Sequence, residues 1–237
     1  SSDLSLNKPV GFKFCVGPPW EWFAIVKAML ETRILPDFIV VDGAEGGTGA
    51  APLEFTDHIG MPLKEGLRLV HNTLVGVGLR QHVKLGASGK IITSFDIART
   101  LALGADWCNS ARGFMFAIGC IQAQTCHTGN CPTGVTTQDA QRQMALVVPN
   151  KALRVKNFHQ QTLVSLKELL EAAGLSSPDQ LQDHHVFQRI SKTEIQTLAQ
   201  MYPPLAPGAL LKESLAKCPE PFKTYWPKAH AERFSLK

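Results

Sequence analysis

The chain has 237 residues, a charged fraction of 19% and a net charge of +4 at neutral pH. That length suits one large domain or a core with an appendage, and the charged fraction falls below the usual quarter, so much of the chain is expected to be buried. There is no Lys/Arg run, no apolar stretch of eighteen residues and no opening signal peptide, which argues against nucleic-acid binding, a membrane segment in this chain and export. Six cysteines are too sparse for a disulfide scaffold and point to a reducing, cytoplasmic environment. Ser1-Ser2-Asp3 leads almost directly into a strand pattern, so the chain is expected to be part of a longer polypeptide.

Hydrophobic periodicity gives the elements in order. Residues 10–16 read as a short apolar strand and 22–32 as a helix. Phe38-Ile-Val-Val-Asp42 is a continuous, β-branched run, as expected of a strand buried on both faces of a parallel sheet. A helix over 62–77, a strand over 83–88, a helix over 93–104, a strand over 106–110 and a helix over 114–122 complete four βα units. This alternation predicts a parallel α/β domain with right-handed crossovers. Four units make half of an eight-fold barrel, and an open, doubly wound sheet is the alternative. Residues 149–174 then form a strongly periodic helix closing at Gly174. Ser177-Pro-Asp-Gln180 caps a short helix, and Ser191-Lys-Thr-Glu194 fits a capping box before a helix over 195–201. From Tyr202 onward Pro and Lys dominate, which predicts extended or poorly ordered chain packed on a partner. His184 and His185 read as a solvated pair.

The loops after the strands carry the chemistry. Asp42-Gly-Ala-Glu-Gly-Gly-Thr-Gly-Ala-Ala-Pro52 is too Gly-rich for a plain connection, and it matches neither the Walker nor the Rossmann pattern. Ala87-Ser-Gly-Lys90 and Ser110-Ala-Arg-Gly113 follow the last two strands and precede helices, where barrels build phosphate sites. Ordinary tight turns are the alternative. A phosphate-bearing cofactor fits the three loops together, with Arg112 and the Gly113 amide as phosphate ligands.

Cys120, Cys126 and Cys131 fall within twelve residues, among glycines and before Pro132. Thiolates on one such loop are soft ligands for iron–sulfur chemistry or zinc, and three of them fall short of the four that a cubane or a closed zinc site takes. A three-iron cluster is the sharper reading, and three buried thiols the plainer one. A zinc site that adds His127 is conceivable, although neighbouring side chains do not easily share one tetrahedral centre. Cys108 is the one credible fourth ligand, but its strand position argues against it. Cys15, Cys108 and Cys218 are expected to be small buried hydrophobes.

Together, Phe12-Lys13-Phe14, the 42–52 loop, Gly60-Met-Pro-Leu63, Gly86-Ala-Ser-Gly89 and Cys120-x5-Cys126-His-Thr-Gly-Asn-Cys131-Pro-Thr-Gly-Val135 resemble the FMN-binding synthase domain of glutamate synthase. Thr137-Gln138 continues the likeness, which covers residues 8–140 in order and spacing. It implies a (β/α)8 TIM barrel, with residues 1–140 its C-terminal half and residues 141–237 a helical, Pro-rich extension. It also implies FMN at the barrel mouth, on Asp42, Gly46, Gly47, Thr48, Gly49, Ser88, Gly89, Arg112 and Gly113. A [3Fe–4S] cluster would sit on Cys120, Cys126 and Cys131. The implied reaction reduces 2-iminoglutarate, made from 2-oxoglutarate and ammonia, to L-glutamate, with electrons from a donor protein or a pyridine-nucleotide subunit.

Lys13 matches the family lysine beside flavin and substrate, and the flanking Phe12 and Phe14 put it on the barrel-interior face. Glu45 is the candidate to orient substrate or imine. The sequence also departs from the family. It has no N-terminal cysteine and glutaminase domain, and the first half of the barrel is absent, so the missing strands are expected from elsewhere in the same protein. Asp42-Gly-Ala-Glu45 replaces a pattern with Ser, His or Asn, which marks a divergent branch. The region beyond 140 is unlike the solenoid of large synthases and resembles the short tail of stand-alone members. An FMN-dependent oxidoreductase of another keto or imino acid, or an inactive barrel subunit with an assembly role, are the alternatives.

Overall fold

The computed structural model describes residues 8–46 and 54–236. Four βα units open the fold: β1 (Gly11–Cys15), α1 (Pro19–Thr32), β2 (Phe38–Asp42), α2 (Leu63–Gly76), β3 (Lys84–Ser88), α3 (Ser94–Ala102), β4 (Trp107–Asn109) and α4 (Arg112–Ile118). The four strands pair in parallel in the order β1-β2-β3-β4. A doubly wound sheet reverses its strand order at a switch point. No reversal occurs among these four strands.

Strand alternation divides the sheet into two faces. Phe12, Phe14, Ile39, Val41, Leu85, Ala87 and Cys108 point toward the helices, where Phe14 stacks on Trp22 of α1 at 5.3 Å. Leu67, Val70 and Leu74 of α2 are fully buried there. The opposite face carries Lys13, Cys15, Val40, Asp42, Gly86, Ser88 and Trp107. Trp107 lies over the bare Cα of Gly86 and meets Phe38 edge-on. Thr93 and Asp96 form a reciprocal capping box that starts α3. α4 ends at Ile118 rather than at 122, because Gly119 takes the left-handed conformation that closes helices (φ 110°).

Beyond the sheet come α5 (Ala140–Gln143) and the long α6 (Val148–Ala172). Leu166 and Leu170 of α6 pack with Ala98 of α3, and its Phe158 meets Phe114 of α4 edge-on. Two expectations fail in the last sixty residues. Residues 195–197 are not helical: β6 (Ile195–Thr197) pairs antiparallel with β5 (Phe187–Arg189), and only α7 (Leu198–Met201) follows, capped by Thr197 and Gln200. β-branched Ile195 and Thr197 favour the strand, and Thr197 rather than Ser191 is the cap.

The second failure is the tail, which is ordered on this chain itself. Leu205, Leu210, Phe222, Trp226 and Ala229 join the same core as Val16 and Leu85. Phe222 stacks on Phe23 of α1 at 5.4 Å, within and around the short α8 (Phe222–Tyr225). Lys27 Nζ donates to the Ala229 carbonyl at 2.8 Å. Arg68 of α2, nearly buried, donates to Asp183 and to the Tyr202 carbonyl, tying residues 183–203 to the helix layer. A few widely spaced aromatic and aliphatic anchors outweigh the Pro- and Lys-rich composition that suggested disorder.

Trp226 is the best test of that tail. It is 6% exposed, packs edge-on to Phe23, and donates its indole N–H to the Leu210 carbonyl at 3.0 Å. Trp226→Ala in the full-length protein is expected to cost about 3–5 kcal/mol in urea unfolding, the range for large aromatic cavities. A loss below about 1 kcal/mol would mean that the tail is dispensable.

Candidate functional site

The site is built at the C-terminal ends of the strands. Register places Cys15 opposite Asp42, Asp42 opposite Ser88, and Ser88 opposite Asn109, so these four residues end their strands at one level. The loops above them are tied by backbone bonds. The Gly43 amide donates to the Ser88 carbonyl at 2.7 Å, Ala44 to Met61 at 3.0 Å, and Met61 to Val16 at 2.7 Å. Ser110 Oγ donates to the Ile91 carbonyl at 2.8 Å, which joins the turn after β4 to the turn after β3. Lys90 Nζ pairs with Asp57 at 3.0 Å, joining that turn to the loop after β2.

Lys13 and Asp42 form an ion pair of 2.7 Å on the sheet face away from the helices. Their side chains are 55% and 34% exposed in this chain. Glu45 lies at the start of α2, where Oε1 accepts the Leu63 amide at 2.8 Å. The carboxylate thus sits on the positive end of a helix dipole. Its Oε2 is buried and has no partner among the described residues. It occupies the space above Gly43 and Gly89, since a Cβ built on Gly43 would fall 1.8 Å from that oxygen and one on Gly89 2.9 Å from it.

The remaining predicted flavin residues divide three ways. Gly46, Ser88 and Gly89 border the same strand ends, whereas Gly47, Thr48 and Gly49 lie outside the described residues. Arg112 and Gly113 open α4. Gly113 lacks a side chain for a reason the sequence did not suggest: a Cβ there would meet Phe158 of α6 at 2.7 Å, so its bare Cα accommodates that ring.

Cys120, Cys126 and Cys131 line one small cleft of about 10 Å³, together with Met115, Ile121, Pro132 and Val135. All three are free thiols. Cys120 accepts the Gln122 amide at 3.5 Å, while the Arg142 guanidinium, held near Asp139 of the following turn, donates to the Asn130 carbonyl at 3.2 Å. Cys131 is 8% exposed. Burial alone would raise its thiol, but hydrogen bonds from Thr133 and Thr136 outweigh it and bring the pKa down to about 6. A ligand-ready thiolate is therefore favoured at neutral pH. The Thr-rich run 133–137 was the unused signal for this in the sequence.

Among the described residues, no three His, Cys, Asp or Glu side chains converge to hold a single metal ion. His127 is exposed and outside the cleft lining, so the Cys3His zinc alternative finds no arrangement here. Cys108 faces the helix layer and bonds Thr100, and burial pushes its thiol up to about 12. Cys218 is buried as expected, but Cys15 is exposed on the open sheet face, because β1 alternation places it beside Lys13 rather than beside Phe14.

A sequence profile described as a conserved region in glutamate synthase matches residues 2–176. The chain belongs to the glutamate synthase family. The glutamate synthase large subunit-like protein YerD of Bacillus subtilis is 45% identical over 187 residues, covering 77% of this chain and 35% of that protein. The archaeal glutamate synthase (NADPH) of Methanocaldococcus jannaschii is 39% identical over 145 residues, covering 61% of this chain and 28% of its own length. The ferredoxin-dependent glutamate synthase of Antithamnion sp. is 37% identical over 145 residues, covering 61% and 9%. The chain thus spans about a third or less of these relatives. No helix among the described residues is long and apolar enough to cross a membrane.

In protein freed of metal, Cys131 is expected to titrate near pH 6 by thiolate ultraviolet absorbance. Thr133→Val should move that midpoint upward, toward the free-thiol value of 9.0. The fold favours the thiolate, so its contribution to stability is complete above about pH 9 and is lost as pH falls through about 6. A midpoint unmoved by Thr133→Val would remove the threonine as the cause.

Proposed function

We propose that this chain is the C-terminal half of an FMN-dependent, iron–sulfur (β/α)8 barrel of the glutamate synthase type. Residues 1–140 would form the half-barrel and 141–237 the extension, with the N-terminal half supplied by another part of the same protein. The assembled site forms L-glutamate by reducing the imine of 2-oxoglutarate and ammonia. The single observation that carries this reading is the cleft holding three free thiols, one of them poised as a thiolate, beside the strand ends of a parallel sheet in a member of this family.

The open sheet face supports the barrel. Parallel sheets are covered on both faces, and here the half-buried Phe38 and Trp107 present apolar surface opposite the helices. Strands from an N-terminal half would cover it. FMN would lie across the strand ends, with its phosphate against the tethered turns at Gly89 and Arg112-Gly113, and with Asp42 and residues 46–49 along its edge. When bound, the flavin supplies hydride to an electrophilic carbon and the cluster carries single electrons to it. Cys120, Cys126 and Cys131 hold the cluster. Lys13 is the cation on the mouth side of β1, suited to steady negative charge on ligand or substrate. Glu45, anchored through one oxygen on α2, offers the other to orient an imine. Electrons come from a donor protein or a pyridine-nucleotide subunit.

Full-length protein purified anaerobically should contain flavin, and its reduced form should be reoxidised by 2-oxoglutarate plus ammonium. A reduced flavin indifferent to every keto acid with ammonium overturns the reading. Independently, Cys126→Ser should abolish the cluster's paramagnetic resonance signal and Cys108→Ser should keep it. The reverse result would show that the ligand set is wrong.

A further inference from the structure

The cysteine loop brings no Lys or Arg of its own to oppose its thiolates. Between Gly119 and Lys151 the only Asp, Glu, Lys or Arg residues are Asp139, Arg142 and Lys151, and all three lie beyond Cys131. The two cations return to the loop. Arg142 Nη1 donates to the Asn130 carbonyl at 3.2 Å and reaches the Cys131 carbonyl at 3.5 Å. Lys151, in the first turn of α6, stands at the other end of the loop, where a Cβ built on Gly119 would fall 3.1 Å from its Nζ.

Asp139 does not cancel this arrangement. Its Oδ1 is committed as the cap of α5, accepting the Gln141 amide at 2.8 Å and the Arg142 amide at 3.2 Å. Its other oxygen stands 3.7 Å from Arg142 Nε, with the two side chains 48% and 40% exposed, so the ion pair contributes little stability. The backbone of Arg142 is held more firmly. Gly134 takes the left-handed conformation (φ 76°), and a Cβ on it would fall 2.2 Å from the Arg142 carbonyl oxygen. The turn that closes the cysteine loop and the turn that carries Arg142 are thus seated on each other, and the guanidinium meets the carbonyls beside Cys131.

A cluster on three thiolates is an anion, and it takes up further negative charge when one electron from the donor reduces it. A fixed cation nearby favours the reduced form over the oxidised one. We propose, resting on the reading that Cys120, Cys126 and Cys131 hold an iron–sulfur cluster, that Arg142 and Lys151 are the counter-charges of this loop and raise the reduction potential of that cluster. Both are positioning residues and neither is a ligand. Arg142 acts through the carbonyls of Asn130 and Cys131, and Lys151 through its place against Gly119. The region beyond residue 140 then belongs to the redox site as well as to the fold.

The test is stepwise anaerobic reduction of the full-length protein, with the cluster read by its paramagnetic resonance signal. At the wild-type midpoint potential, Arg142→Gln should lower the ratio of reduced to oxidised cluster roughly threefold or more, the scale of losing one partly screened charge nearby. Lys151→Gln should shift the ratio in the same direction, and Arg142→Lys, which keeps the charge, should hold the wild-type midpoint. A loop that is merely loosened would lose cluster without moving the midpoint of what remains, and that result overturns the proposal. So does an Arg142→Gln midpoint that is unchanged or raised, or an Arg142→Lys midpoint lowered as far as that of Arg142→Gln. If Arg142→Gln retains no cluster, Lys151→Gln decides alone: a lowered midpoint upholds the proposal and an unmoved one overturns it. Wild-type protein without a cluster signal sinks the functional reading and this inference with it, whereas a wild-type signal whose midpoint ignores both charges overturns only the inference.

Discussion

Everything at the candidate site depends on the parallel register of four short strands. Pairing Cys15 with Asp42, Asp42 with Ser88, and Ser88 with Asn109 ends four chains at one level and sends every following loop off the same edge. A slip of one residue in β2 would turn Asp42 toward the helices and put Val41 in the mouth. The register is held because Ile39, Val41, Leu85 and Ala87 are fully buried against the helices, so no shifted pairing keeps the same apolar surface out of water. The ion pair of Lys13 with Asp42 follows from that packing and does not cause it.

Loops after the strands are normally the least constrained parts of such a fold, yet here they are cross-tied. Ser110 reaches the Ile91 carbonyl, Lys90 reaches Asp57, and Glu45 reaches the amide that opens α2. The first two ties join loops from different βα units, and the third closes the loop between β2 and α2. The cysteine loop is braced by another set of contacts. Arg142 and the turn before α6 hold its carbonyls, and Phe158 of α6 covers Gly113 at the start of α4.

How much of this was legible in the sequence depended on how local its cause was. The four strands and first three helices follow from apolar periodicity, and the cysteine loop from spacing, so both are readable. Thr133 and Thr136 lower the Cys131 thiol through contacts two and five residues away, which was local but went unread. The strand at Ile195–Thr197 was misjudged because a Ser-x-x-Glu pattern precedes β-branched residues, and their preference for extended backbone prevailed. The tail was misjudged because Phe222 and Trp226 find their partner, Phe23, some two hundred residues earlier. No window of the sequence contains both halves of that contact. The packing of Phe158 against the bare Cα of Gly113 is another contact that spacing cannot reveal.

The two faces of the sheet also differ along its length, which bears on what completes the site. Near the strand starts and middles, the open face is apolar, with Trp107 over Gly86 meeting Phe38 edge-on and the buried Val40 on the same face. Near the strand ends it is polar, with Lys13, Asp42 and Ser88. An element packed on this face gains its binding energy from the apolar part and has nothing to gain by burying the ion pair, because desolvating two charges costs more than their attraction returns. The cover is therefore driven to seat against Phe38, Val40 and Trp107 and to leave the Lys13–Asp42 end wet. Open, hydrated strand ends above an apolar interior are what the proposed barrel mouth would require for a charged ligand.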